Sequence, residues 1–166
     1  MTPPGSLAFD PIERAGELWD ERFGEATAMR LATSIMRVQQ LVLSALDAAV
    51  KPFGITFARY EVLVLLSFSR SGSLPLSKVG ERLMVHPTSV TNLVDRLEAQ
   101  GLVERTVDAA DRRRILASLT PEGRSLMKRA TTALTDIEFA VGDLGRADQE
   151  KAYELLRALR SSDFDA

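Results

Sequence analysis

Apolar and polar positions alternate along the chain mostly with a helical period, interrupted once by a stretch of period two. Near the start, Ile12, Leu18, Trp19 and Phe23 make an incomplete apolar stripe, and Asp10-Pro11 supplies a cap followed by a first-turn proline. A helix from about Asp10 to Phe23 follows, ended by Gly24. From Ala26 to Val50, the positions Leu31, Ile35, Val38, Val42, Ala45, Leu46 and Ala49 form a face too wide for one neighbour to cover. Such a helix is central to a single core or shared with a second copy. Thr56 caps a further helix of about Phe57 to Ser69, with Tyr60, Leu63, Val64 and Leu66 inward, and Ser71-Gly72-Ser73 reads as a turn.

Between Pro75 and Gly101 the pattern tightens. Leu76, Val79 and Leu83 share one side of a short helix, and Val85-His86 makes a tight turn. Val90, Leu93, Val94 and Leu97 then recur at i, i+3, i+4 and i+7, with Pro87 at the first helical position and Gly101 just past the end. Two short helices joined by so brief a turn form a helix-turn-helix signature. The period now changes. Leu102 to Val107 and Arg114 to Leu119 alternate as two strands over the loop Asp108-Ala109-Ala110-Asp111-Arg112-Arg113, a hairpin with a basic tip. Thr120-Pro121-Glu122 restarts a helix that Leu126, Ala130, Ala133, Leu134, Ile137 and Val141 carry to about Leu144. A last helix runs from Ala147 to Leu159.

The predicted class is mostly α with a small β-hairpin wing: a winged helix-turn-helix flanked by N- and C-terminal dimerisation helices. The expected divisions are a flexible arm over 1–9, N-terminal dimerisation helices over 10–55, the winged helix-turn-helix over 56–120 and C-terminal dimerisation helices over 121–166. The wing domain alone needs only about 70 residues, well within one domain, so the flanking helices must pack on something else, and each other together with a second copy is the economical answer.

Composition changes this picture little. Hydrophobic residues make up 45% and charged residues 27%, as in an ordinary globular protein. No apolar run is long enough to span a membrane, and the N-terminus lacks the basic start and apolar block of a signal peptide, so the cytoplasm is the expected location. Cysteine is absent, which removes disulfides and thiolate chemistry. Charge matters more. The net charge of −2 argues against nucleic acid, but residues 77–129 carry 10 Lys+Arg against 7 Asp+Glu, while residues 130–166 carry 4 against 8. A basic centre stands in an acidic periphery.

If the Pro87–Gln100 helix enters a major groove, its first two turns present Pro87, Thr88, Ser89, Thr91 and Asn92 to the bases. Asn92 could bridge adenine N6 and N7, and the hydroxyls could reach bases or phosphates. An ordinary solvated helix face is the alternative. Arg112, Arg113 and Arg114 at the hairpin tip suit a narrow, strongly negative minor groove, with one of them serving the tip's shape by pairing with Asp111. Lys78, Arg82, His86, Arg96, Arg105 and Arg124 are candidate phosphate contacts, which position without specifying sequence. A single histidine without cysteine makes a poor transition-metal set, so no metal and no cofactor are expected. No nucleophile-base constellation appears, and no enzyme is expected.

The segments LSKVGERLMVHPTSVTNLVDRLEAQGLVER, DAADRR and LTPEG, in this order and spacing, resemble the MarR-type winged helix-turn-helix transcription regulators. The resemblance runs from about Leu31 to Leu156. His86 stands where that family often has serine, and Gly80 where alanine is usual. The resemblance implies a homodimer joined by its terminal helices, reading a pseudo-palindromic double-stranded DNA operator with half-sites about 10–10.5 base pairs apart. It assigns Arg112 to the groove and Arg113 to the pair with Asp111. It also implies a repressor released by a small aromatic ligand bound between the dimer helices and the wing domain. Trp19, Phe23, Phe57, Arg59 and Tyr60, with Phe53, are candidates for lining that cleft, against the plainer reading of aromatics as core. The N-terminal helix with Trp19 is similar to the extension of the urate-responsive PecS-like branch, although Leu93 stands where that branch tends to have arginine. Alternatives to a ligand-released regulator are a winged-helix protein-interaction module and a ligand-insensitive DNA-binding protein.

Overall fold

Capping side chains set the boundaries of the helices that position the site. The computed structural model describes residues 8–160; the arm expected over 1–9 therefore lies, as far as residue 7, outside the described residues. In chain order the elements are α1 (Pro11–Phe23), α2 (Thr27–Val50), α3 (Phe57–Ser67), β1 (Ser73–Pro75), α4 (Leu76–Leu83), α5 (Pro87–Ala99), β2 (Val103–Val107), β3 (Ile115–Leu119), α6 (Pro121–Asp136) and α7 (Arg146–Arg160). Two compact units divide within α2, between Ser44 and Ala45.

In the first unit, Asp10 Oδ1 accepts the Ile12 N–H at 2.8 Å and so caps α1, as the Asp-Pro pair predicts. Asp20 joins α1 to the start of α2: one carboxylate oxygen accepts the Ala26 N–H at 2.8 Å, and the other lies 3.0 Å from Arg30 Nη2. Leu31, Met36, Val38 and Leu41 on α2 are exposed.

In the second unit, the core gathers Leu46 and Val50 from the end of α2, Tyr60, Val62, Leu63 and Leu66 from α3, Val79 from α4, Val90, Val94 and Leu97 from α5, and Ala130 and Leu134 from α6. Each large side chain buried in this way contributes about 1.5–3 kcal/mol. Thr56 caps α3, and Asp47 adds a second acceptor there, taking the Phe57 N–H at 2.7 Å. Thr120 caps α6 through Gly123 N–H at 3.0 Å and also donates to the Gly101 carbonyl at 2.8 Å, binding the end of α5 to the start of α6.

Two expectations need correction. The segment read as a turn at Ser71-Gly72-Ser73 runs on into a strand: β1 pairs antiparallel with β3, Leu74 opposite Ala117, giving a three-stranded sheet of order β1-β3-β2 rather than an isolated hairpin. Leu74 and Ala117 are both buried, so the added strand closes the core beneath α3 and α4. The helix expected to reach Leu144 ends at Asp136. Glu138, Phe139 and Ala140 take positive φ values of 48°, 51° and 60°, a left-handed turn that separates α6 from α7. Apolar spacing through Ile137 and Val141 mimicked a continuous helix.

α7 buries none of its residues and exposes Tyr153, Leu155, Leu156 and Leu159. Among the described residues no single helix is long and apolar enough to cross a membrane.

Candidate nucleic-acid interface

The helix-turn-helix is built on a close approach. A Cβ at Gly80 would lie 3.2 Å from Val90 Cγ2 and 3.3 Å from the Val85 carbonyl oxygen, a tight approach of α4 to α5 that a shift of a few tenths of an ångström would relieve. Met84 ends α4 in the left-handed conformation with φ 54°, and its exposed side chain sits at the turn. His86 Nδ1 accepts the Thr88 N–H at 3.3 Å. The histidine is thus the N-cap of α5.

The labour within α5 divides cleanly. Val90, Val94 and Leu97 are buried and Leu93 is half-buried, while Pro87, Thr88, Ser89, Thr91, Asn92 and Arg96 are exposed. The Thr91 hydroxyl donates to the Pro87 carbonyl at 3.2 Å, leaving its lone pairs free to accept. The first two turns therefore offer short hydroxyls and one amide on a rigid, packed scaffold, while the backbone N–H groups of Thr88, Ser89 and Val90 are taken up by the side chain and carbonyl of His86.

The wing tip is shaped by its two aspartates. Asp108 Oδ1 accepts the Ala110 N–H at 2.9 Å, and Asp111 Oδ1 accepts the Arg113 N–H at 3.0 Å. These are Asx turns, which hold a loop through side-chain oxygens. The expected partnership of Asp111 with Arg113 exists, but through the backbone N–H and not the guanidinium. The side-chain pair at the tip is instead Asp108 with Arg114, 3.6 Å apart. Arg114, expected among the groove probes, shapes the hairpin base. Arg112 and Arg113 are exposed and pair with no acid among the described residues.

Arg105 moves furthest from its expected role. It was a candidate phosphate contact, yet its Nη1 lies 2.6 Å from Asp95 Oδ1, its Nε donates to Glu98 Oε2 at 2.9 Å, and its Nη2 also pairs with Glu98. The hydrogen bond from Arg105 holds the Glu98 carboxyl below the usual carboxylate range, and the same contact raises Arg105. Sequence reading passed over Asp95 and Glu98. Their signal was a pair of acids at i and i+3 on a helix followed by an arginine in the next strand. Lys78 pairs with Glu81 at 2.6 Å on α4, whereas Arg82, Arg96 and Arg124 are exposed.

The residues expected around a ligand cleft belong to both units. In the first, Trp19 and Phe23 are exposed, their ring centroids 5.1 Å apart. In the second, Tyr60 is buried and its hydroxyl meets Thr131 Oγ1 at 3.0 Å, tying α3 to α6; it is a core residue. Phe57 packs its ring 5.8 Å from that of Tyr60. Arg59 donates to the Gly54 carbonyl and to Gln100 Oε1, both at 3.3 Å, and Arg129 lies 5.6 Å from the Phe53 ring centroid.

Comparison with known proteins places these features. Residues 53–114 match the model described as MarR family. The chain is 36% identical over 129 residues to the HTH-type transcriptional repressor MdtR of Bacillus subtilis, covering 66% of this chain and 82% of that protein. It superposes with a TM-score of 0.78 and 49% identity on Sco5413, a MarR family transcriptional regulator from Streptomyces coelicolor, over 83% of this chain and 96% of that one. CouR from Rhodococcus jostii RHA1, solved bound to p-coumaroyl-CoA, aligns with a TM-score of 0.68 and 29% identity over 78% of this chain and 90% of CouR. The matched segment contains the packed α5 scaffold and the wing as far as its arginines, and the chain belongs to the MarR family of transcription regulators, DNA-binding proteins and not enzymes.

Proposed function

We propose that the chain is a homodimeric repressor that reads a pseudo-palindromic operator and releases it on binding a small aromatic ligand. One observation carries the reading: exposed Thr88, Ser89, Thr91 and Asn92 stand on a helix whose other face is locked into the core, beside a wing whose shaped tip leaves Arg112 and Arg113 unpaired. The helix meets base edges in the major groove, with Asn92 placed for adenine, and Arg112 enters the minor groove. Arg82, Arg96 and His86 serve as phosphate contacts.

The dimer rests on the helices flanking the wing domain. Exposed leucines, valine and methionine on α2, and the exposed apolar residues of α7, have no business in water in such number. A two-fold axis through these helices would set the two copies of α5 about one DNA turn, roughly 34–36 Å, apart. Repression agrees with the role of the Bacillus relative, and an aromatic ligand with what CouR holds. In the second unit, Phe53 and Phe57 supply aromatic surface for such a ligand.

Selection of binding sites from random DNA tests the reading directly. The expected product is a palindrome with half-site centres about 10–10.5 base pairs apart. Absence of any enriched two-fold sequence would be the failing result. On the selected duplex, Arg112→Ala should weaken binding by about 1–3 kcal/mol. Titration of the complex with salicylate or an aromatic acyl-thioester should release DNA; a complex indifferent to both would leave a repressor without this ligand class.

A further inference from the structure

Between Val103 and Ala117, the outermost buried residues of β2 and β3, no residue is buried. The outer wing therefore has no core of its own, and Val107 and Ile115, paired across the two strands, are both exposed. Among the described residues, one charged side chain ties this segment back to α5. Arg105, in the middle of β2 and opposite Ala117, reaches across to α5 and takes Asp95 with Nη1 and Glu98 with Nε and Nη2.

The chemistry of this link is specific. Acids three residues apart on a helix stack on one face, one turn from each other. A guanidinium presents its donors in a rigid planar fork and can hold both carboxylates at once, whereas an ammonium is a point charge on a flexible stem. Asp95 lies three residues beyond Asn92 and four beyond Thr91, on the turn that follows the proposed base-reading residues. Two carboxylates so near a DNA-facing surface work against phosphate binding, and a single arginine neutralises only one of them. Their presence calls for a compensating role.

We propose that the Asp95–Arg105–Glu98 clamp is a positioning device, which fixes the angle between the base-reading helix and the wing so that Arg112 meets the minor groove while α5 occupies the major groove. The inference rests on the DNA-reading assignment above. It assigns Arg105 a role through Arg112 and α5, with no DNA contact of its own.

The test uses the full chain and two duplexes carrying the selected palindrome, one with long flanks and one cut short before the wing positions. Two variants are compared with wild type: Asp95→Asn with Glu98→Gln, which makes the protein more positive, and Arg105→Lys, which keeps the charge and removes the fork. Simple electrostatics predicts tighter binding for the first and no change for the second. The clamp predicts the opposite: both bind the long duplex about tenfold more weakly, the size of one wing-arginine contact. Hydroxyl-radical protection of the flanking minor groove should fade while protection at the central major groove persists. On the short duplex both variants should match wild type. Unchanged or tighter binding to the long duplex overturns the proposal, as does an equal loss on both duplexes, which would mark general damage to the domain. Wild type that binds neither duplex would instead remove the DNA-reading assignment itself.

Discussion

A methyl group at Gly123 would collide with the carbonyl of Leu102, whose carbon would lie 2.9 Å from it. That carbonyl already accepts the Thr120 N–H at 3.2 Å, and backbone held at both ends cannot retreat. Gly123→Ala is therefore expected to destabilise by about 1–3 kcal/mol or more, the range for overpacking, in urea denaturation. The same change at Gly80 meets only the tip of Val90 at 3.2 Å and a carbonyl oxygen at 3.3 Å. A shift of a few tenths of an ångström relieves it, and alanine improves helix propensity by about 1 kcal/mol, so Gly80→Ala should come out near neutral. Titration supplies a second residue-scale prediction. Arg105 lowers Glu98 from its ordinary 4.5, so the folded state holds this carboxylate ionised where the unfolded chain would protonate it. The stabilisation is fully present above that ordinary value and is lost as pH falls below 4.5 through the lower folded value. Denaturation midpoints between pH 3 and 6 should converge for wild type and Glu98→Gln at the acid end and separate above it. A constant difference would show that the contact does not titrate. At this scale much of the site was legible: cap residues, the proposed readers and the basic tip all announce themselves by type and spacing. Pairing was not. Which of three consecutive arginines meets which aspartate depends on loop dihedrals, and so Asp108 took Arg114 while Asp111 took a backbone N–H.

Elements were read from periodicity, and they fail where periodicity is shared by two structures. Leu134, Ile137, Val141 and Leu144 keep a helical spacing, yet the chain turns left-handed at Glu138, Phe139 and Ala140. Each non-glycine residue in that conformation costs about 1–2 kcal/mol relative to the right-handed helix. A substitution separates the two structures by sign. In a continuous helix Ala140→Gly would cost about 1 kcal/mol. In the observed turn, φ of 60° at Ala140 favours glycine, and the change should stabilise by about 0.5–1 kcal/mol despite the greater freedom of the unfolded glycine. A rise in thermal midpoint is the expected outcome; a fall would restore the continuous helix. The missed strand β1 has a related cause. Three residues, Ser73–Pro75, are too short for alternation to register, and their strand state comes from the partner edge of β3. The α4–α5 pair and the wing strands were legible because caps, a first-turn proline and a period change coincide there within a few residues.

At the scale of the whole molecule, the exposed apolar face of α2 and the basic centre of the chain point the same way. Residues 77–129 carry the excess of positive charge, while residues 130–166 are acidic. Leu41 is 54% exposed on α2. In an isolated chain Leu41→Asp would change stability by no more than about 0.5 kcal/mol, as surface substitutions do. If a second copy covers this face, the aspartate buries an unpaired charge in an apolar interface and the dimer separates. Light scattering should then report a single chain, with the helical circular dichroism retained. DNA binding should fall with it, because two linked half-site contacts exceed one by about 10²–10⁴ in avidity. The slope of affinity with salt should also fall by about half, since each protomer contributes its own phosphate contacts and released counterions. A variant that stays dimeric would exclude this face of α2 from the interface. One that becomes monomeric yet binds the full operator as tightly as wild type would detach recognition from two-fold symmetry.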